Sequence, residues 1–144
     1  MGPAANRPKI FSIVTKKILL VDDHEIVRSG VRALLSDDWE VCGEAADGEQ
    51  AVEKAIALKP DLILMDLSMP NMNGIEATRK LRQLGLTTRI VILSMHEGAG
   101  FVLGAKHAGA DACLSKTCGP RQLHEVIVQL LKDIPERGVE IISP

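Results

Sequence analysis

Residues 61–74 constrain the fold of this chain more than any other segment. The segment opens with a short apolar run at 62–65, ends that run on Asp66, and continues into a loop that contains proline, asparagine and glycine. A run this short and this apolar predicts a strand buried on both faces. Ligands of open parallel sheets bind outside the carboxyl ends of the strands, so Asp66 is predicted to lie at that rim, close to solvent. On this segment alone, Asp66 could equally be an ordinary loop residue, because aspartate is common at strand ends.

Four more segments follow the same pattern of an apolar run that gives way to polar residues. They predict strands at residues 17–21, 39–45, 89–93 and 110–114. Apolar residues at helical spacing follow each strand, so the chain has five strands alternating with five helices. This alternation predicts an α/β fold, a doubly wound five-stranded parallel sheet with helices on both faces and right-handed crossovers.

Polar side chains stand at the ends of four of these strands. They are Asp22 and Asp23 after the first strand, Asp66 after the third, Ser94 after the fourth and Lys116 after the fifth. In a doubly wound sheet these strand ends lie side by side, so the five side chains are predicted to converge on one crevice. Taken singly, each residue could be a helix cap, a turn residue or a surface lysine. Their joint placement favours a functional site.

The chemistry of this predicted crevice points to phosphoryl transfer. Three close carboxylates repel one another unless a cation lies among them, and a hydrated site with oxygen ligands suits Mg²⁺. Lys116 adds a point charge that can meet an anion, and Ser94 adds a hydroxyl donor. A metal, a nucleophilic carboxylate, a cation and a hydroxyl are the groups needed to stabilise phosphoryl transfer to Asp66.

Composition disfavours several other functions. The net charge is −2 and the chain has one tryptophan, two phenylalanines and no tyrosine, so neither electrostatics nor base stacking favours nucleic-acid binding. The three cysteines form no CxxC pair, which suits a reducing compartment and argues against a zinc site. No apolar run is long enough to cross a membrane. We therefore expect a cytoplasmic protein that makes no membrane contact, with residues 1–16 as an N-terminal extension that is disordered over residues 2–8.

Four motifs together resemble the receiver domain of two-component response regulators. They are VDDH at 21–24, MDLSMPNMNG at 65–74, LSMH at 93–96 and GADACLSK at 109–116. The resemblance covers about residues 17–132 and implies a flavodoxin-like (CheY-like) (βα)5 fold with strand order 2-1-3-4-5. It also implies that Asp66 accepts a phosphoryl group from a histidine kinase in a Mg²⁺-dependent reaction. The chain would then be a phosphoacceptor switch and not an enzyme, catalysing only its own phosphorylation and dephosphorylation.

The resemblance further assigns roles at the crevice. It implies that the side chains of Asp23 and Asp66 and the backbone carbonyl of Ser68 hold Mg²⁺, with Asp22 acting through water. In the same way, Ser94 and Lys116 would contact the phosphoryl oxygens.

The subfamily and the output are also implied by resemblance. His24 and the sequence VRSG at 27–30 resemble the NarL/FixJ subfamily, whose receiver precedes a LuxR-type helix-turn-helix, and residues 133–144 resemble the start of a linker to such a domain. The implied partners are a histidine kinase, a second copy through the face of the fourth helix, fifth strand and fifth helix, and DNA through a C-terminal domain outside this chain. The output would be control of transcription. The alternative is a stand-alone receiver.

One position departs from the family pattern. Cys113 stands where the fifth strand of relatives carries tyrosine or phenylalanine, whose rotamer reports phosphorylation. A cysteine there predicts a looser switch, because a small side chain changes its buried area little between two states. The alternative is that Cys113 merely fills space beside the last helix.

Three other functions are less favoured. A flavin-binding module needs small and hydroxyl residues after the first strand to cradle phosphate, whereas this chain carries the acidic sequence DDHE at 22–25. A phosphatase with an aspartyl nucleophile would need a second acid two residues later, where Ser68 stands. A receiver-like interaction scaffold that is never phosphorylated is the remaining alternative, and the presence of all five site residues argues against it.

Overall fold

A computed structural model describes residues 15–95, 99–132 and 134 of the chain. It contains one parallel sheet in the order β2-β1-β3-β4-β5. The strands are β1 (Lys17–Val21), β2 (Glu40–Ala45), β3 (Leu62–Asp66), β4 (Arg89–Ser94) and β5 (Ala112–Ser115). The helices are α1 (Glu25–Leu35), α2 (Gly48–Leu58), α3 (Gly74–Gln83), α4 (Ala99–Ala108) and α5 (Pro120–Leu131). The predicted fold class and strand order are confirmed.

Two predicted segments lie almost wholly outside the described residues. They are the N-terminal extension at 1–16 and the linker at 133–144, and the domain limits of 17 and 132 stay a prediction. Among the described helices, none has both the length and the apolar character needed to cross a membrane.

The sheet separates two apolar clusters, because successive strand residues face opposite sides. One cluster packs strand residues such as Ile63 and Ile92 against α2, α3 and α4. The other packs residues such as Leu64 and Val91 against α1 and α5. All five residues of β3 are buried, as expected for the central strand of a sheet covered on both faces.

Cys113 lies on the side of the sheet that faces away from the last helix. It packs against the cluster under α2, α3 and α4, whereas its neighbours Ala112 and Leu114 pack against the cluster under α1 and α5. The suggestion that Cys113 fills space beside the last helix is therefore wrong. The residue is half-buried, and this burial raises the pKa of its thiol.

The loop after β3 is attached to the beginning of α2. The Gly48 N–H donates to the Met72 carbonyl at 3.1 Å, and a Cβ at position 48 would collide with that carbonyl oxygen. Asn71 Nδ2 donates to Asp47 Oδ2 at 2.9 Å. Asp47 also caps α2 by accepting from the Gln50 N–H at 2.8 Å, which starts this helix earlier than its apolar pattern does. The loop that follows Asp66 is thus held at its far end by α2.

Arg82 joins three segments at the amino end of the sheet, the end where the strands begin. Its guanidinium donates to Gly109 O at 3.0 Å, Leu86 O at 2.9 Å, Thr88 O at 2.7 Å and Asp111 Oδ2 at 3.1 Å. Nearby, Gly85 follows the end of α3 with a φ of +87°, a conformation that glycine favours. The end of α3, the start of β4 and the loop before β5 are therefore tied together by one side chain.

Candidate functional site

Three of the predicted side chains meet at the carboxyl end of the sheet, where the strands end. Lys116 Nζ lies 3.1 Å from Asp66 Oδ1 and 3.2 Å from Asp22 Oδ2. Asp22 and Asp66 follow or end the neighbouring strands β1 and β3. The Lys116 N–H donates to Ser94 O at 2.9 Å, which extends the pairing of β4 with β5 to the edge of the site. The convergence that the strand ends predict is therefore present for these residues.

Asp66 is more buried than the sequence suggests. Only 4% of the residue is exposed, although Asp23 and Ser68 beside it are exposed, so Asp66 lies just beneath the surface of the rim. The reason is the residue that follows, because Leu67 does not turn outward. Its N–H donates to Leu93 O at 2.8 Å and its carbonyl accepts from the Gly74 N–H at 2.8 Å, and Leu67 is itself buried. The loop thus begins inside the protein and reaches the surface only at Ser68.

Burial and charge act on Asp66 and Lys116 in different ways. Burial raises the pKa of Asp66, and the negative charge of Asp22 raises it further, against the opposing effect of Lys116. Burial alone would lower the pKa of Lys116, but its hydrogen bonds and attraction to Asp66 and Asp22 outweigh burial, so the pKa of this amine is raised. One ammonium group therefore serves two carboxylates and does not fully compensate either.

The two serines occupy different positions around Asp66. The Ser68 N–H donates to Asp66 Oδ1 at 3.3 Å, and the residue is exposed. Ser94 ends β4 and is buried, with only 2% of the residue exposed, beside Ser115 of β5 in the sheet register. Since Asp66 pairs in register with Leu93, Ser94 stands one residue beyond it on the adjacent strand. Both serines are therefore at the carboxyl end of the sheet, as predicted.

His24 joins the acidic cluster, a placement that the sequence reasoning missed. Its Nδ1 lies 3.1 Å from Asp22 Oδ1 and 3.1 Å from Asp23 Oδ1. One ligand atom from each of Asp22, Asp23, His24 and Asp66 lies within 4.8 Å of the others. The available signal was the adjacency of two aspartates and a histidine at a strand end, but adjacency alone does not tell where the ring turns.

The donor set of this cluster fits a divalent cation. Three carboxylates face a single lysine, and negative charge in excess of the available side-chain cations favours binding of a metal ion. Carboxylate oxygens are the ligands that Mg²⁺ takes in proteins, usually one or two of them together with water. The partly exposed Asp23 leaves the cluster open to solvent on one side. Asp22, Asp23 and Asp66 are therefore suited to holding Mg²⁺.

Arg28 connects the acidic loop to the neighbouring strand. Its Nη1 donates to the backbone carbonyl of Asp22 at 2.6 Å, and its Nε donates to Glu44 Oε1 at 2.8 Å. Arg32 Nε donates to the other oxygen of Glu44 at 2.7 Å. The hydrogen bonds from Arg28 and Arg32 hold the pKa of Glu44 below its usual value. Arg28 thus holds the backbone at Asp22, and sequence reasoning did not identify its second partner because Glu44 lies on another element, 16 residues further along the chain.

Comparison with known proteins places these features in a family. The family model of the response regulator receiver domain matches residues 18–128. The chain is 46% identical over 114 residues to the nitrate/nitrite response regulator protein NarL of Escherichia coli, an alignment that covers 78% of this chain and 53% of that protein. It is 40% identical over 133 residues to the response regulator protein VraR of Staphylococcus aureus, covering 91% of this chain and 61% of that protein.

A solved structure agrees with these relatives. A two-component response regulator of the LuxR family from Aurantimonas sp. SI85-9A1 is 42% identical and superposes with a TM-score of 0.78, covering 82% of this chain and 86% of that chain. The chain spans 53% to 61% of the length of the two curated relatives. The likeness therefore concerns the receiver part of those longer proteins.

Proposed function

The chain belongs to the response regulator receiver domain family, and on that premise we propose that Asp66 is a phosphoacceptor that switches a protein-interaction face. The observation that carries the proposal is the shared contact of Lys116 with Asp66 and Asp22 at the carboxyl end of the sheet. A buried carboxylate beside an ammonium group is placed to gain a phosphoryl group whose added charge the lysine then meets.

In the proposed reaction, an oxygen of Asp66 attacks the phosphorus of a phosphohistidine on a histidine kinase. The new O–P bond forms while the N–P bond breaks, and the imidazole of the kinase leaves with the electron pair of that bond. The Lys116 ammonium group stabilises the charge on the transferred phosphoryl oxygens, and the Ser94 hydroxyl donates a hydrogen bond to one of them. Both groups are held at this end of the sheet by the hydrogen bond between the Lys116 N–H and the Ser94 carbonyl.

The metal belongs to the same proposal. Asp23, Asp66 and the backbone carbonyl of Ser68 would hold Mg²⁺, with Asp22 acting through water. When bound, Mg²⁺ would supply neutralisation of charge on the phosphoryl oxygens. The hydrogen bond of Arg28 to the Asp22 carbonyl supports this assignment, because it fixes the backbone from which Asp22 and Asp23 project.

The proposed output is a change in the face formed by α4, β5 and α5. Phosphorylation adds roughly −1.5 to −2 charges. This charge would draw Ser94 toward Asp66 and shift the contact that Lys116 already makes there, so that the connections after β4 and β5 move. Three consecutive apolar residues of α4, Phe101, Val102 and Leu103, are exposed on the protein surface. They support the proposal that this face forms a homodimer.

Control of transcription is the furthest part of the proposal. It would act through a C-terminal DNA-binding domain joined to this receiver, and the likeness to longer response regulators supports this part of the proposal. The alternative is that the receiver acts alone on a protein partner. A cytoplasmic location remains a prediction.

Intact mass measurement tests the phosphoacceptor. After incubation with acetyl phosphate and Mg²⁺, the wild-type chain should gain the mass of one phosphoryl group, and the Asp66→Asn variant should gain none. Removal of Mg²⁺ with EDTA should prevent the gain in the wild type. An unmodified wild-type chain under these conditions would instead favour the scaffold that is never phosphorylated.

A further inference from the structure

We propose that Asp38, Trp39 and His124 form a proton-sensitive clasp that holds α5 against the turn between α1 and β2. A proton on the His124 ring strengthens the clasp, and loss of that proton weakens it. The inference goes beyond the proposed function, because the clasp involves no residue of the acidic cluster and acts without phosphorylation or a metal ion. It gives the protein an input from the acidity of its surroundings.

The geometry of the His124 ring carries this proposal. Its Nε2 lies 2.9 Å from Asp38 Oδ2. The centre of the ring lies 4.8 Å from the centre of the Trp39 ring, and the two planes are tilted by 40°. His124 belongs to α5, whereas Asp38 and Trp39 belong to the turn between α1 and β2. One imidazole therefore contacts a carboxylate and an indole of an element that is distant in the sequence.

The turn holds its side of the clasp through backbone hydrogen bonds. The N–H groups of Asp38 and Trp39 both donate to Leu35 O, at 3.1 Å and 3.0 Å. The next residue, Glu40, donates its N–H to Lys16 O at 3.0 Å, which ties the turn to the segment that enters β1. The Trp39 side chain packs against the apolar cluster under α1 and α5. The carboxylate and the indole are therefore presented to α5 from a fixed backbone.

On the other side of the clasp, α5 depends on side-chain contacts for its position. Its N-cap residue is Gly119, so no side chain caps the start of this helix. Near the end of the helix, Arg89 Nε donates to Leu130 O at 3.2 Å. The contact of His124 with Asp38 is the corresponding polar attachment near the start. A change in this contact therefore acts on the half of α5 that has no cap.

Protonation changes both contacts of the imidazole in the same direction. A neutral ring donates an ordinary hydrogen bond to Asp38, whereas a charged ring forms an ion pair with a stronger, charge-assisted hydrogen bond. A positive charge is also attracted to an aromatic ring within about 6 Å, as Trp39 is here. The side chains of His124 and Asp38 are 42% and 54% exposed, so the proton can come from solvent. Histidine is the side chain whose charge commonly changes between about pH 5 and pH 8.

Other charged side chains lie on the elements around the ring. They are Asp37 and Glu40 on the turn and β2, Arg121 and Glu125 on α5, and Arg28 and Arg32 on α1. Arg28 and Arg32 are bonded to Glu44. In the described part of the chain, the carboxylate that contacts His124 is that of Asp38. Asp38 is therefore the residue through which a charge on the ring acts on the turn.

Fluorescence of the full chain in EDTA tests whether the ring gains a proton beside Trp39, which is the only tryptophan. A protonated imidazole quenches a neighbouring indole, so lowering the pH from about 8 to about 5 should decrease the emission of the wild type. His124→Gln, which can still donate a hydrogen bond but cannot gain a proton, should lose this decrease. The matched control is His107→Gln, since His107 is an exposed histidine on α4; this variant should keep it.

Hydrogen exchange of the α5 amides tests whether this proton strengthens the clasp. Relative to the amides of β3, their protection in the wild type should be about threefold greater near pH 5 than near pH 8. In Asp38→Asn and in His124→Gln the relative protection should be the same at both values.

Three results would each overturn the proposal. One is a decrease in emission that persists in His124→Gln, because the ring would then not be the group that gains the proton. Another is a relative protection of α5 in the wild type that does not change with pH. The third is a full change in Asp38→Asn, because Asp38 would then not be the partner of the charged ring.

Discussion

The two ends of the sheet use aspartates in opposite ways. At the amino end, Asp111 pairs with Arg82 at 3.1 Å and with Arg89 at 3.7 Å, and it accepts the Ile90 N–H at 2.8 Å. At the carboxyl end, Asp66 shares a single lysine with a second carboxylate. Asp111 thus pairs with two arginines, whereas Asp66 shares one lysine with Asp22.

This contrast separates a part of the molecule that stabilises the fold from the part that we propose binds a metal ion. The aspartate at the amino end has its partners within the chain, so its contacts contribute to stability without any ligand. The aspartates at the carboxyl end keep an excess of negative charge, which we expect to lower the stability of the chain alone and to be offset by a bound cation. Functional sites commonly sacrifice stability in this manner.

The largest expected effect on stability comes from removing the Arg82 contacts at the amino end of the sheet. Arg82→Met should lower the free energy of unfolding by about 2–3 kcal/mol, because it leaves Asp111 with a weaker ion pair and removes the donor to three carbonyl groups. Urea denaturation measures this loss. Arg79→Met, at an exposed position of the same helix, should change the free energy by less than about 0.5 kcal/mol. Similar losses of unfolding free energy in the two variants would mean that the Arg82 contacts do not stabilise the amino end of the sheet.

The next effect concerns the cation at the carboxyl end. Mg²⁺ at about ten times its dissociation constant should raise the free energy of unfolding of the wild type by about 1.4 kcal/mol. Asp23→Ala should abolish this increase while changing the stability of the metal-free protein little, since Asp23 is exposed. Thermal or urea unfolding with Mg²⁺ and with EDTA gives both quantities. An equal increase in the variant would mean that Asp23 is not a ligand.

A smaller effect is expected from neutralising the phosphoacceptor. Without divalent ions, Asp66→Asn should raise the free energy of unfolding near neutral pH by about 1 kcal/mol, because it removes a buried charge beside Asp22.

The pH dependence of that gain has a definite sign. The pKa of Asp66 is raised in the folded protein by burial and by Asp22, so the folded chain holds this proton more tightly than the unfolded chain. Its contribution favours folding below the ordinary aspartate pKa and is lost as pH rises through the raised value. The gain from Asp66→Asn should therefore grow with pH across that window, as paired urea titrations in EDTA can measure. A difference that is constant with pH would contradict this origin.

The smallest effect concerns Cys113, whose side chain faces α4 instead of α5. Cys113→Tyr should increase the phosphorylation-dependent gain in self-association by about threefold, because a ring that moves between buried and exposed positions widens the difference between two states. Analytical ultracentrifugation with and without a phosphoryl analogue measures this gain. Cys113→Ser removes the thiol without adding a ring and should leave it unchanged. A gain in Cys113→Tyr no larger than in the wild type, with the fold intact, would favour a role in packing alone.

The local pattern of apolar and polar residues was sufficient to predict most of the fold. The alternation of apolar runs and helical spacing predicts all five strands, and the burial of every residue in β3 agrees with its composition. Two element boundaries differ from the apolar pattern because hydrogen bonds at the element ends determine them. Asp47 starts α2 at Gly48 by accepting a backbone N–H. The Ala110 N–H bonds to Ala105 O in the turn after α4, so β5 begins at Ala112 and not at residue 110.

The candidate site was predictable in its members but not in its detail. Strand ends that meet in a parallel sheet bring Asp22, Asp66 and Lys116 together, so their order along the chain was enough. The burial of Asp66 depends on the inward path of Leu67, which no local pattern indicates. The turn of the His24 ring toward two carboxylates likewise depends on a rotamer.

The attachment of the β3–α3 loop to α2 makes one side of the surroundings of Asp66 more rigid than the other. On the α2 side, the Gly48 N–H bonds to Met72 O and Asn71 bonds to Asp47, so that side is stiff. Toward α4, the chain carries Gly100 and Gly104 within one short helix, and each costs about 1 kcal/mol of helix stability relative to alanine. A structural change at Asp66 is therefore expected to displace the α4 side more than the α2 side. We infer that strain from Asp66 is transmitted toward β4, α4 and β5, while α2 serves as the fixed support.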